Sequence, residues 1–128
     1  MSGIVIEDFK EVTHEHINVE LVAKILRGGI IDGNGAFVLS YGFRYPQLWL
    51  HSCGERWYAH YFEAEGSPGS YALGMVVSEV PNMQMIPYGS GDFCPPSDGI
   101  IDEEFAFAIA EEFASNPKRP DCADWFDL

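Results

Sequence analysis

Apolar positions recur at helical spacing over residues 17–27, where Ile17, Leu21, Val22, Ile25 and Leu26 share one broad face and Glu20, Ala23, Lys24 and Arg27 lie opposite. Asn18 is placed to cap this first helix, and Gly28-Gly29 to end it. The period then falls to two. Across residues 36–43, Phe37, Leu39, Tyr41 and Phe43 alternate with Val38, Ser40 and Gly42. Arg44-Tyr45-Pro46 punctuates the pattern, and Leu48 and Leu50 then alternate with Trp49 over residues 47–51. Ser52-Cys53-Gly54-Glu55 reads as a hairpin turn, and the aromatic-rich residues 57–62 as a third strand. Short connections between them predict an antiparallel meander.

Residues 63–70 (EAEGSPGS) predict a loop, followed by strands over 71–80 and 83–88 that Pro81-Asn82 separates. Gly, Pro and Ser dominate residues 89–99, where Pro95-Pro96 forbids regular structure. A last helix follows Ser97 or Asp98, with Asp102-Glu103-Glu104 in its first turn, where the helix dipole favours carboxylates. Phe105, Ile109 and Phe113, flanked by Ala106 and Ala110, form its apolar stripe, and Asn116-Pro117 stops it. The expected fold class is α+β: an antiparallel sheet of about five strands flanked by two helices, one domain spanning residues 1–128.

Composition supports a core and adds a large charge. Hydrophobic residues make up 47% and aromatic residues 14%, which disordered acidic chains lack. Yet 20 Asp and Glu face only 7 Lys and Arg, a formal charge of −13 in 128 residues. Such a charge repels nucleic acid and anionic membranes and attracts basic protein surfaces. It points to a protein partner, with no direct nucleic-acid or membrane binding. No apolar run approaches the roughly 20 residues of a membrane span, and the N-terminus shows no signal-peptide pattern. Cys53, Cys94 and Cys122 are odd in number and widely spaced, which favours reduced thiols in a cytoplasmic protein and leaves a partial disulfide open.

Catalytic chemistry is hard to find. His14, His16, His51, Cys53 and His60 offer metal-ligand types, but a zinc site needs three or four that converge. His51 and Cys53 could converge on one strand face, but both read first as ordinary strand and loop residues. The serines lie in no G-x-S-x-G elbow, and Gly89-Ser90-Gly91-Asp92 lacks the lysine of a phosphate loop. We therefore expect no catalytic residues, no cofactor and no metal. The alternatives are a small hydrolase or metal-binding enzyme using His51, His60 and Cys53, or an acidic interaction module recruited by some other basic protein.

Candidate partner-binding residues follow from charge beside aromatics. On the wheel of the last helix Phe107 falls between Glu103 and Glu104, with Glu111 on the same acidic side. An exposed aromatic ringed by carboxylates has the composition of a hot spot for a basic partner, while the competing expectation is a ring packed under the tail or a loop. Trp57 is expected in the core. Tyr58 and His60, on a strand with aromatics on both faces, require a sheet that is either covered twice or sticky on one side. Glu63, Glu65, Asp92 and Asp98 are the acids expected to rim such a face.

Several segments carry a family likeness: Phe37-Val38-Leu39, Pro46-Gln47-Leu48, the last helix with Phe113, then Arg119-Pro120 and Trp125. From Val19 to Trp125 the chain resembles the first-numbered immunity family of bacterial polymorphic toxin systems, commonly encoded beside deaminase-type toxins. It looks similar to immunity partners of secreted DNA cytidine deaminase toxins. That resemblance implies a small cytoplasmic antitoxin that covers the active site of a cognate toxin domain, without catalysis of its own. The shared motifs hold the fold, so no list of toxin contacts carries over.

Overall fold

The computed structural model describes residues 4–8, 13–15, 17–30, 34–74 and 96–128. Among them one antiparallel sheet gathers β1 (Ile4–Asp8), β2 (Thr13–Glu15), β3 (Asn34–Tyr41), β4 (Arg44–Cys53), β5 (Arg56–Phe62), β6 (Ser70–Ala72), β7 (Ile101–Asp102) and β8 (Trp125–Asp127). The order is β2-β1-β3-β4-β5-β6-β8, and β7 pairs with the start of β5. Two helices, α1 (Val22–Gly28) and α2 (Glu103–Ser115), complete a mixed α+β domain.

The expected class and meander are present, but the sheet has eight strands among the described residues rather than about five. The additional ones are short or lie where no alternation announces them. β2, β7 and β8 span only two or three residues, below the length at which period two is detectable. β1 is a run whose first residues, Ile4, Val5 and Ile6, are all buried, so it shows no alternation either. The expected strand over 71–80 is seen only as its first part in β6; residues 75–80, and the whole expected strand 83–88, lie outside the described residues.

Both helices start later than expected. A 3-10 turn at Val19–Leu21 precedes α1, and Asn18 makes no side-chain capping bond to it. Asp102 is the N-cap of α2, its Oδ1 accepting from the Phe105 amide at 2.7 Å. Ser97 and Asp98 instead belong to a separate 3-10 turn, Ser97–Gly99. A carboxylate that satisfies an orphan amide at N3 captures the helix start more strongly than Ser97 or Asp98 upstream.

Both helices cover one face of the sheet. Phe37, Leu39, Leu50 and Trp57 point into it and are fully buried against Val22 and Leu26 of α1 and Ile109 and Phe113 of α2. Each such side chain contributes about 1.5–3 kcal/mol of burial free energy. The opposite face is covered too: Val38, Tyr58 and Tyr71 are buried there, with Ile100 packed on the two tyrosines. Gly99 comes so close that a Cβ on it would lie 2.9 Å from the Tyr71 ring and 3.1 Å from that of Tyr58. Aromatics on both faces of β5 thus reflect a second face that is covered at Tyr58 and half-buried at His60 and Phe62.

Candidate partner interface

The acids singled out from the sequence fall into separate places. Glu103, Glu104 and Glu111 line a groove of about 450 Å³ between α1 and α2, opposite Ala23 and Arg27. Helical spacing puts them on one side of α2, as the wheel predicts. The first two also complement the dipole at the start of α2, so folding alone would favour them. Arg27 Nε lies 3.8 Å from Glu103 Oε1, a loose and exposed pair of the kind worth about 0–1 kcal/mol.

Phe107 shares that groove but is not the exposed ring of a hot spot. It is only 5% exposed and meets Trp57 edge-on, with ring centroids 5.4 Å apart. The Arg27 guanidinium lies 4.9 Å from the centroid of the Phe107 ring. Among the described residues, Trp57 of the sheet below and Arg27 of α1 beside it enclose the ring. A helical wheel shows the angular position of Phe107 but not the arrival of a second helix.

Glu63 and Glu65 are exposed in the loop that follows β5. Glu63 borders a second, polar cavity of about 570 Å³ with Ser67, Lys118 and Arg119. The cations there are engaged, Lys118 with Asp121 at 3.1 Å and Arg119 with Asp127 at 2.8 Å. Asp98 belongs to the other face of the sheet, where it accepts a 2.7 Å hydrogen bond from the Tyr71 hydroxyl. Asp92 lies outside the described residues. The structure therefore groups Glu103, Glu104, Phe107 and Glu111, and separates them from Asp98.

The residues proposed for catalysis are arranged differently. His60 Nε2 donates to the Pro68 carbonyl at 2.9 Å, because a carbonyl can only accept. Nδ1 is then an acceptor, and the Tyr58 hydroxyl donates to it at 2.7 Å. Burial holds the His60 pKa below its ordinary value and pushes the Tyr58 phenol well above its own, with Tyr71 and Asp98 adding to the latter. Both ring nitrogens of His60 are engaged, so neither is free to act as a base or a ligand. Register places His51 opposite Tyr58 and His60 opposite Trp49, so the two histidines are offset rather than facing. Among the described residues no three His, Cys, Asp or Glu side chains are grouped to hold a metal.

One exposed aromatic group has no counterpart in the sequence pattern. Tyr41, Phe43 and Tyr45 surround the turn between β3 and β4 and are 41%, 52% and 39% exposed. The alternation over residues 36–43 assigns Phe43 to a strand face; the chain turns instead at Gly42-Phe43. A glycine before an aromatic, with Pro46 soon after, was the available signal.

The chain matches no protein-family model and no curated protein.

Proposed function

We propose that this protein is an immunity protein: it binds a basic, nucleic-acid-directed toxin domain, such as a deaminase, and covers the toxin's active site. The observation that carries this reading is the charge of −13, with Glu103, Glu104 and Glu111 gathered along one side of α2. A toxin that acts on nucleic acid needs a basic cleft, because phosphate contacts supply much of the affinity for such substrates. An acidic protein surface is steered into the same cleft and competes with the substrate. The immunity-family resemblance of the β3, β4, α2 and Trp125 segments adds support. The lack of a free histidine nitrogen at His60 weighs against the hydrolase alternative.

The test is co-purification with the toxin domain encoded by the adjacent gene, followed by association kinetics across a salt series. The expected result is a stable complex that blocks deamination, with an association rate that falls steeply as salt rises. Reversing Glu103, Glu104 and Glu111 together to Lys should slow association. Absence of a complex, or salt-independent association, counts against the reading.

A further inference from the structure

The tip of the β3–β4 hairpin combines strain, irregular pairing and exposed aromatic surface. Gly42 and Phe43 both have positive φ, 60° and 63°. Two such residues between paired strands match a type I′ turn, whose usual sequence is Asn-Gly. Phenylalanine is poorly suited to that conformation, because its Cβ crowds the backbone. The strand beside it is irregular as well. Ser40 faces Gln47 but Tyr41 faces Arg44, so Tyr45 and Pro46 bulge out of the ladder. A bulge re-aims side chains that regular pairing would place on a sheet face.

None of these aromatics serves the core. Tyr41, Phe43 and Tyr45 are exposed, while Phe37, Trp57 and Phe113 are fully buried. A conformation that is costly for phenylalanine and leaves its ring in solvent has no stabilising return within the fold. Strained, exposed positions of this kind concentrate at functional sites. The composition, two Tyr and a Phe with Arg44 laid across Gly42, is that of an interface hot spot.

Charge beside the tip indicates the partner. Register sets Gln47 opposite Phe62, so residues from Glu63 onward leave β5 at the same end of the sheet as the hairpin. The exposed Glu63 and Glu65 are therefore its acidic flank; Arg44 is the cation of the tip itself, while Lys118 and Arg119, which border the Glu63 cavity, are paired with Asp121 and Asp127.

We infer that the β3–β4 hairpin tip, Tyr41, Phe43 and Tyr45, is the anchoring contact for a protein partner whose apolar cleft has a basic rim. This inference rests on the proposed toxin-binding function. It divides the labour: the acids of α2 steer the partner in by charge, and the hairpin holds it by burying aromatic rings. Steering governs association, whereas desolvated anchors govern dissociation.

The experiment compares binding kinetics of the full chain and its Phe43→Gly variant to the adjacent-gene toxin domain, alongside thermal melting. Glycine accepts positive φ freely, so F43G is expected to melt no lower than wild type. Its complex should dissociate about tenfold faster or more, as for loss of a hot-spot ring, with association nearly unchanged. Phe43→Asn, which also tolerates positive φ, provides a second variant and should behave alike. Wild-type dissociation rates in both variants overturn the hairpin anchor while leaving the toxin-binding reading intact. Failure of wild type itself to bind overturns that reading and the anchor with it. A wild-type dimer in light scattering that F43G dissolves assigns the tip to a second copy of this chain and also overturns the inference.

Discussion

The Arg27 guanidinium lies 4.9 Å from the centre of the Phe107 ring, which is itself packed edge-on against Trp57. A ring whose position on α2 suggests exposure is thereby enclosed between the sheet and α1. The contact joins both helices to β5 and leaves carboxylates, not aromatic surface, facing solvent along α2.

Phe107 should therefore matter first for stability. Phe107→Ala is expected to cost about 3–5 kcal/mol, the range for deleting a buried aromatic. Arg27→Ala is expected to cost about 0.5–1 kcal/mol, since the cation sits at an exposed site. Chemical denaturation of the two variants measures both. A Phe107→Ala protein as stable as wild type contradicts the packing described.

The Tyr58–His60–Pro68 chain predicts a pH dependence. His60 must stay neutral to accept from Tyr58 while donating to Pro68, and burial lowers its folded pKa below the ordinary 6.5. Below that value the unfolded chain binds the proton more readily than the folded one. The contribution of this chain is thus complete above about pH 6.5 and is lost as pH falls from there through the lowered folded value. Melting temperatures of wild type and His60→Gln should diverge in slope over that acidic window, with the variant flatter. Parallel curves would show that His60 does not titrate differently on folding.

Two glycines of the loop after β5 make a matched pair. Gly66 and Gly69 both have positive φ, 80° and 76°. A Cβ on Gly66 meets nothing, but one on Gly69 would lie 2.5 Å from the Tyr61 carbonyl and 2.6 Å from His60 Nε2. Gly66→Ala should cost about 1–2 kcal/mol, the backbone strain alone. Gly69→Ala should cost clearly more and flatten the His60-dependent acid slope, because the loop cannot then close on the imidazole. Equal losses for the two would mean the close approach is unimportant.

At the start of α2, Asp102→Ala removes the side-chain acceptor for the Phe105 amide. The expected loss is about 1 kcal/mol, as for other N-caps. Asp102→Asn should recover most of it, since an amide oxygen also accepts. Thermal unfolding of the two variants provides the comparison.

Local periodicity encodes one part of this fold. Alternation from Phe37 to Phe62 dictates the meander and which residues face the helices, and the spacing of Phe105, Ile109 and Phe113 dictates the buried stripe of α2. The same spacing places Glu103, Glu104 and Glu111 together, because side-chain position around a helix depends only on the helix itself. Tertiary structure decided the rest. β2, β7 and β8 exist because β1, β5 and β6 offer them unpaired edges or ends, not because of any pattern of their own. Phe107 is buried because α1 and Trp57 arrive from distant parts of the chain. His60 loses both free nitrogens to Tyr58 and to a loop folded back across it. Phe43 is exposed because the register of β3 against β4 places the turn at Gly42-Phe43 and expels Tyr45 and Pro46 from the ladder. Local periodicity assigns a residue to one side of its own element; only long-range packing decides whether that side meets protein or water.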